Sequence, residues 1–179
     1  KVPGGKFTEW LFDEKRDSKQ CVTINGPFGS FYLRDKSTPI VCIAGGSGLA
    51  PIKSLLEGGV LDQIKRDVVF LFGARTQDDL YCIEELNKIK NNWNKDYNFD
   101  FVPVLNMEPE DSNWKGGRGF VTDYFEKNYI TKKNLNISDW QGYLCGPPPM
   151  VDAALELLQK HGIKKEEIFY DKFTDSSNL

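Results

Sequence analysis

A glycine-rich turn, Gly45-Gly46-Ser47-Gly48, follows the apolar run Ile40–Ala44 and precedes an amphipathic stretch. This order predicts a strand, a tight turn and a helix, and backbone N–H groups at such a helix start favour a phosphate group. Glycines also let a nucleotide approach the backbone closely. Pro51 stands where the G-x-G-x-x-G pattern would place a further glycine or alanine. The turn therefore indicates either phosphate binding or a plain tight turn.

A second candidate segment, Gly73-Ala74-Arg75-Thr76, follows the apolar run Val68–Phe72. The carboxyl ends of parallel strands meet at one edge of a sheet, so we expect this segment beside the glycine turn. Arg75 could bind a phosphate, stack on an adenine ring or remain a solvated charge. Asp78 and Asp79 would repel a 2′-phosphate, and either could accept a hydrogen bond from a ribose hydroxyl. The acidic pair therefore favours NADH over NADPH.

A third segment, Cys145-Gly146-Pro147-Pro148-Pro149-Met150, ends a predicted strand and begins a predicted helix. Its prolines predict a rigid loop at the same sheet edge. The Cys145 thiol would either point into a crevice beside a reacting ring or be buried before a tight turn. The four cysteines lie too far apart for zinc or iron–sulfur spacing. His161, the sole histidine, follows a predicted helix without an obvious partner, so serine–histidine–aspartate catalysis is not expected.

The elements that must position these residues alternate along the chain from residue 40 onward. Strands are predicted at Ile40–Ala44, Asp67–Phe72, Phe99–Leu105, Gly142–Cys145 and Glu166–Tyr170. Helices are predicted over Leu49–Ile64, around Leu80–Ile89, over Phe120–Ile130 and after the three prolines. The first helix is expected to break or kink at Gly58-Gly59, and a polar loop is expected at Asn106–Arg118. This alternation predicts an α/β fold with a doubly wound parallel sheet.

The first 35 residues have a different pattern. Strands are predicted at Phe7–Phe12, Gln20–Ile24 and Ser30–Leu33, with a turn at Gly26-Pro27-Phe28-Gly29. The segment is too short to bury a core of its own, so it is interpreted as the closing strands of a truncated N-terminal barrel. The polar segment Arg34–Pro39 is the expected link between domains 1–35 and 36–179.

Composition excludes several classes of function. The chain has 179 residues and a formal net charge of −3, which is not the electrostatic signature of a general nucleic-acid binder. No apolar run reaches the ~18 residues of a membrane span, and the first residues do not form a secretory signal. We therefore expect no nucleic-acid partner, no direct membrane insertion, and a cytoplasmic location, free or on the cytoplasmic face of a membrane complex.

The three segments, in this chain order, resemble the ferredoxin–NADP reductase superfamily. Gly46-Ser47-Gly48-Leu49-Ala50-Pro51 is similar to its T/S-G-x-A-P loop for pyrophosphate and nicotinamide, and Gly73-Ala74-Arg75 to its G-x-R element along the adenosine. The proline loop is similar to its C-G-P-x-x-M loop, whose cysteine lies near the carbon that gives up hydride. The resemblance implies cofactor binding by Gly45, Gly46, Ser47, Gly48, Leu49, Ala50, Pro51, Ala74, Arg75, Asp78, Asp79, Gly146, Pro147, Pro148 and Met150, with Cys145 as an orienting contact.

The ends of the chain extend this resemblance. Gly4-Gly5-Lys6-Phe7-Thr8 is similar to a flavin-pyrophosphate segment that starts a helix, which implies FAD contacts by Gly4, Gly5, Lys6 and Thr8 and replaces the strand at Phe7–Phe12. Gly26-Pro27-Phe28-Gly29 is similar to a turn late in the flavin domain. Phe173 matches an aromatic residue that covers the flavin and must move before nicotinamide can stack. The implied architecture is a ferredoxin reductase-like NAD-binding domain preceded by the end of a β-barrel flavin domain.

Within this superfamily the sequence most resembles NADH-dependent reductase components of bacterial phenol, toluene and methane monooxygenases and of benzoate-type dioxygenases. The F subunit of the sodium-translocating NADH:quinone reductase is the close second. The implied reaction is hydride transfer from NADH to FAD, then single electrons to a 2Fe-2S centre on a missing domain or on a partner, an oxygenase or ferredoxin-type acceptor. We therefore expect a fragment that binds NADH and holds FAD weakly. A nucleotide-binding module without redox activity is the alternative of another class, and Phe173 argues against it.

Overall fold

The computed structural model describes residues 6–13, 21–26 and 28–173, and the chain divides into two compact units, Lys1–Ser30 and Phe31–Leu179. In the first unit, helix α1 spans Lys6–Leu11, so the strand predicted at Phe7–Phe12 is wrong and the helix that the resemblance implied is confirmed. The rings of Phe7 and Trp10, one helical turn apart, lie 5.7 Å from each other. Residues 21–24 do not form the predicted strand, and Gln20 lies outside the described residues.

The second unit is built on a parallel sheet of six strands. They are β1 (Ile40–Gly45), β2 (Val68–Ala74), β3 (Phe99–Leu105), β4 (Gly117–Arg118), β5 (Gln141–Gly146) and β6 (Ile168–Lys172), in the order β4-β3-β2-β1-β5-β6. Every neighbouring pair is parallel. The predicted doubly wound sheet is therefore confirmed, with β4 as an addition inside the predicted loop Asn106–Arg118.

Helices cover both faces of this sheet. They are α2 (Leu49–Leu61), α3 (Ile83–Asn92), α4 (Val121–Phe125), which continues as a π-helix over Glu126–Thr131, and α5 (Pro148–Lys160). Alternate residues of β1 enter different cores, because successive side chains of a strand point to opposite faces. Cys42 packs in the core under α2 and α3, whereas Val41 and Ile43 pack in the core under α4 and α5. All six residues of β1 are buried, as expected for a central parallel strand.

The strand predicted at Ser30–Leu33 is wrong, and the contacts of the segment explain why. The rings of Phe31 and Tyr143 lie edge to face with centroids 6.1 Å apart, and Leu33 packs against the same core. The backbone N–H of Arg34 donates to the Tyr143 hydroxyl at 2.8 Å. Its carbonyl accepts a hydrogen bond from the buried guanidinium of Arg66 at 3.2 Å. The same carbonyl also accepts from the Lys36 N–H at 2.9 Å, so the backbone groups of Arg34 are bonded by side chains and a local turn and not by a partner strand.

Helix α2 shows no break at Gly58-Gly59, contrary to the sequence prediction. It runs without interruption to Leu61, short of the predicted Ile64. A Cβ atom on Gly59 would lie 2.7 Å from the Trp93 ring, whereas one on Gly58 would have no neighbour within 4 Å. The indole N–H of Trp93 donates to the carbonyl of Arg66 at 2.9 Å, which holds the ring in place. Gly59 is therefore explained by close packing of α2 against Trp93.

The two glycines predict opposite effects of the same substitution. Gly59→Ala forces a methyl group into the fixed Trp93 ring and should lower the free energy of unfolding by roughly 1–3 kcal/mol. Gly58→Ala is the matched control and should raise it by roughly 0.5–1 kcal/mol, because alanine favours a helix interior. Urea unfolding followed by circular dichroism measures both values. Equal effects of the two substitutions would contradict the packing argument.

Candidate functional site

A crevice of about 890 Å³ opens at the carboxyl edge of the sheet. Its walls come from the segments that follow β1, β2, β3 and β5 and from the first residues of α4 and α5. The chain leaves β1 toward β2 on one side, while β5 lies on the other side of β1, so the order of strands reverses between β1 and β5. In open parallel sheets such a reversal separates neighbouring loops and leaves room for a ligand. The three segments singled out in the sequence meet here.

The glycine turn after β1 contributes Gly45, Gly46 and Ser47 to the crevice wall. Gly46 has φ +53, and a Cβ atom there would have no neighbour within 4 Å, so its backbone faces open space. Gly48 has a different role, since a Cβ atom there would lie 2.2 Å from the carbonyl oxygen of Cys145. The predicted residues Leu49, Ala50 and Pro51 continue into α2 and do not line the crevice, and Leu49 is fully buried.

Tyr81 supports the glycine turn, although it was not predicted as a site residue from the sequence. Its hydroxyl donates to the carbonyl oxygen of Gly46 at 2.8 Å, and its ring packs edge to face on Phe72 at 5.7 Å. This hydrogen bond occupies a carbonyl that would otherwise repel a negatively charged ligand. Partial burial raises the pKa of Tyr81, so the phenol remains a hydrogen-bond donor at neutral pH.

Arg75 and Asp79 form a two-point ion pair on the wall that follows β2. The Arg75 Nε–Asp79 Oδ2 and Nη2–Oδ1 distances are 3.2 and 3.0 Å. These hydrogen bonds lower the pKa of Asp79 and raise that of Arg75, so both groups are charged at neutral pH. Asp79 also accepts a hydrogen bond from the backbone N–H of Thr76 at 3.3 Å. Ala74, Arg75 and Asp79 line the crevice, whereas Asp78 does not.

Cys145 is not among the residues that line the crevice. Cys145 is fully buried in the core under α2 and α3, while its neighbour Leu144 packs in the core under α4 and α5. Burial raises the pKa of the Cys145 thiol to about 12, with a further contribution from Asp171 on β6. Cys145 is buried, as the second sequence interpretation expects, and its orienting contact with a nicotinamide ring stays a prediction. At neutral pH this thiol is protonated and is not a nucleophile.

The loop after β5 reaches the crevice through its prolines. Pro147, Pro149 and Met150 line it, whereas Gly146 and Pro148 do not. Gly146 has φ +149, and a Cβ atom there would lie 2.8 Å from the carbonyl oxygen of Gly45. The two loops at the strand reversal are therefore in direct backbone contact.

Phe173 lies beside this loop. Its backbone N–H donates to the carbonyl oxygen of Gly146 at 2.9 Å, and 37% of its surface is exposed. Among the predicted flavin residues, Lys6 and Thr8 lie in α1, while Gly4 and Gly5 fall outside the described residues. The flavin roles of these residues stay predictions.

The remaining wall was not predicted as part of a site. It is formed by Asn106 after β3 and by Gly119, Phe120, Thr122 and Asp123 at the start of α4. These residues were expected in a polar loop and an ordinary helix. The sole sequence signal for this wall was the pair Gly119-Phe120, where the predicted loop meets the predicted helix. Such a pair resembles many helix starts.

Two further features of the described residues bear on other functions. Over residues 6–13, 21–26 and 28–173, no three His, Cys, Asp or Glu side chains are grouped as metal ligands. In the same part of the chain, none of the helices has the length and apolar character needed to cross a membrane.

Comparison with known proteins finds a family match and several relatives. The family model described as an oxidoreductase NAD-binding domain matches residues 42–156. The electron transfer component of xylene/toluene monooxygenase from Pseudomonas putida is 45% identical over 172 residues, which are 96% of this chain and 47% of that protein. The F subunit of the Na(+)-translocating NADH-quinone reductase of Idiomarina loihiensis is 35% identical over 178 residues, which are 96% of this chain and 41% of that protein.

A solved structure agrees with these matches. The crystal structure of a cytochrome P450 reductase from Amycolatopsis superposes with a TM-score of 0.75 at 31% identity, covering 98% of this chain and 50% of that one. The chain spans about half the length of the curated relatives it matches.

The position of Cys145 predicts slow alkylation. Burial raises the pKa of both Cys42 and Cys145 to about 12, so the reactive thiolate becomes abundant only as the pH approaches that value. Cys21 is exposed and serves as the internal control. Treatment with iodoacetamide at pH 8, followed by peptide mass spectrometry, should label Cys21 and spare the two buried thiols until urea is added. Labelling of Cys145 as fast as Cys21 in the folded protein would contradict this placement.

Proposed function

Because the chain belongs to the oxidoreductase NAD-binding domain family, we propose that it binds NADH in the crevice and forms the NADH-oxidising part of a flavin-dependent reductase. The observation that carries this proposal is the meeting of three loops at the strand reversal, those after β1, β2 and β5. A crevice of about 890 Å³ falls within the usual size range of ligand pockets. Open backbone at Gly46 and a cationic side chain at Arg75 suit an anionic dinucleotide.

Each wall has a separate task in the proposed complex. The backbone of Gly45, Gly46 and Ser47 holds the pyrophosphate, and Tyr81 keeps the Gly46 carbonyl engaged. The Arg75–Asp79 pair faces the adenosine ribose, where Asp79 accepts from a hydroxyl group. The short side chains of this turn leave room for close backbone approach.

The rigid proline loop after β5 orients the nicotinamide end. NADH supplies a hydride when it is bound, and the contribution of the protein is the distance and angle between donor and acceptor rings. Pro147 and Pro149 restrict the loop, and the hydrogen bond from the Phe173 N–H to the Gly146 carbonyl fixes the end of β6 beside it. Cys145 directly precedes this loop, and its protonated thiol packs in the core under α2 and α3.

For the whole protein, we propose that electrons pass from NADH through FAD to an iron–sulfur centre, with an oxygenase or ferredoxin-type acceptor as partner. The 45% identity to an electron transfer component of xylene/toluene monooxygenase supports this assignment. The 35% identity to the F subunit of the Na(+)-translocating NADH-quinone reductase favours a second candidate, in which the acceptor belongs to a membrane complex. Residues 1–35 would be the end of the flavin domain and residues 36–179 the NAD(H) domain.

Calorimetric titration of the 179-residue chain with NADH and NADPH tests the proposed function. We expect NADH to bind more tightly, because the Asp79 carboxylate repels a 2′-phosphate and engages Arg75, which could otherwise pair with that phosphate. Asp79→Asn removes the charge, retains an oxygen that accepts from the Thr76 N–H, and should reduce the preference for NADH roughly tenfold.

Asp78→Asn is the matched control, because Asp78 neighbours Asp79 but does not line the crevice. It should leave the preference unchanged. Binding of neither nucleotide by the unaltered chain, with or without FAD, would overturn the proposed function. An unchanged preference in Asp79→Asn would overturn the role of the ion pair alone.

A further inference from the structure

The amino edge of the sheet, where the strands begin, carries a buried charge that the proposed function does not use. Arg66 lies two residues before β2 and is 3% exposed. It is the one charged side chain that is buried among the residues that the structure describes. Burial lowers the pKa of this guanidinium, and a buried charge is costly unless its donors are bonded. The hydrogen-bond partners of Arg66 therefore identify the part of the chain that this charge stabilises.

Two of the three partners of Arg66 belong to the segment Phe31–Pro39, which precedes β1 and which we call the strap. The Nε–H of Arg66 donates to the carbonyl of Thr38, and Nη1 donates to the carbonyl of Arg34 at 3.2 Å. The third donor, Nη2, binds the side-chain oxygen of Gln141, the first residue of β5, at 2.7 Å. One guanidinium thus ties the strap at two points to the sheet.

Gln141 extends this network toward β6 and back to the strap. Its side-chain amide donates to Glu167 Oε2 at 2.7 Å, and Lys36 of the strap forms an ion pair with the same carboxylate. Hydrogen bonds from Lys36 and Gln141 lower the pKa of Glu167, so the carboxylate is charged at neutral pH. The backbone N–H of Gln141 also donates to the Pro39 carbonyl at 3.0 Å. The hydrogen bonds that start at Arg66 therefore return to the strap through two further side chains.

Aromatic rings hold the first half of the strap. The guanidinium of Arg34 lies over the rings of Tyr32 and Phe169, at 3.6 and 4.4 Å from their centroids. The backbone N–H of Arg34 donates to the Tyr143 hydroxyl at 2.8 Å, and the ring of Phe31 packs edge to face on the same tyrosine. All these contacts lie within the second unit of the chain.

We propose that Arg66 anchors the strap to the sheet, so that Phe31–Pro39 is a fixed part of the second unit and not a flexible link. The polar segment expected to link the domains, Arg34–Pro39, then contributes no freedom of its own. Residues 31–35, assigned above to the end of the flavin domain, move with the NAD(H) domain. The division of the chain between Ser30 and Phe31 agrees with this proposal.

This inference does not rest on the proposed binding of NADH. The strap lies at the amino edge of the sheet and the crevice at the carboxyl edge. The six residues of β1 separate the two edges by about 20 Å. The anchor and the nucleotide site can therefore be tested separately.

Residue-resolved hydrogen exchange of the isotopically labelled chain, followed by NMR, tests the anchor. The backbone N–H groups of Arg34 and Lys36 are bonded in the strap, so both should exchange about tenfold more slowly than in an unstructured peptide. Arg66→Met removes the three donors and keeps an unbranched side chain. It should speed exchange at both positions roughly tenfold relative to the amides of Ile43 and Leu71, which are fully buried in the sheet.

Three further variants separate the anchor from other effects. Lys65→Met is the matched control, since Lys65 neighbours Arg66 and is exposed, and it should leave exchange in the strap unchanged. Arg66→Lys keeps the positive charge but lacks the fork of donors, so it should behave as Arg66→Met. Tyr143→Phe removes the acceptor of the Arg34 N–H and keeps the ring, so it should speed exchange at Arg34 and not at Lys36.

The unaltered chain alone can overturn the proposal, whether or not any variant folds. Exchange at Arg34 and Lys36 as fast as in an unstructured peptide would show that the strap is not fixed. Rates in the strap that Arg66→Met leaves unchanged, or that Arg66→Lys restores, would refute the anchoring role of Arg66.

Titration of the folded variants with NADH completes the test. Each should keep the affinity of the unaltered chain within about twofold, because sites this far apart act independently. A larger loss of affinity would contradict the separation of the anchor from the crevice. An unaltered chain that binds no NADH, but whose strap amides respond to Arg66→Met as expected, would overturn the proposed function and support the anchor.

Discussion

Backbone contact between the loops after β1 and β5 is the constraint on which the site depends. A Cβ atom on Gly48 would lie 2.2 Å from the Cys145 carbonyl oxygen, and one on Gly146 would lie 2.8 Å from the Gly45 carbonyl oxygen. A Cβ atom on Gly45 would also lie 2.5 Å from the Met150 sulfur. The glycines therefore interlock the two loops at the strand reversal. In the proposed complex this contact forms the common floor beneath the phosphate and nicotinamide groups.

An ion pair on the crevice wall bears on how an acidic chain could accommodate the proposed anionic ligand. The formal net charge is −3, and three charged residues line the crevice, Arg75, Asp79 and Asp123. Arg75 and Asp79 are joined by two hydrogen bonds. In the proposed complex the carboxylate accepts a hydrogen bond from a ribose hydroxyl, and the guanidinium offsets the negative field of the carboxylate at the neighbouring phosphates. The Tyr81 hydroxyl likewise offsets the negative charge on the Gly46 carbonyl oxygen by donating a hydrogen bond to it. Both the Arg75–Asp79 ion pair and the Tyr81–Gly46 hydrogen bond are formed within the protein itself.

The sequence was sufficient for the parallel sheet and for the three loops, because buried parallel strands are short apolar runs bounded by turn residues. The sequence was insufficient where packing between residues distant in the chain determines the local structure. The kink predicted at Gly58-Gly59 is absent because Trp93 fills the space beside Gly59. Cys145 faces the core under α2 and α3 because residues alternate along β5. Tyr81, Asn106 and Phe120 reach the crevice through tertiary contacts that no local pattern shows.

The location of bound dinucleotide is the most direct test of the crevice as a nucleotide site. Amide chemical shifts of the isotopically labelled chain, recorded during titration with NAD⁺, report which backbone groups sense the ligand. We predict that the largest changes fall at residues 45–47, 73–79, 119–123 and 150, all of them on segments that line the crevice. The prolines at 147–149 have no amide proton and give no signal in this measurement. Changes concentrated elsewhere, such as along α3 or at the amino ends of the strands, would contradict the assignment of this crevice as the nucleotide site.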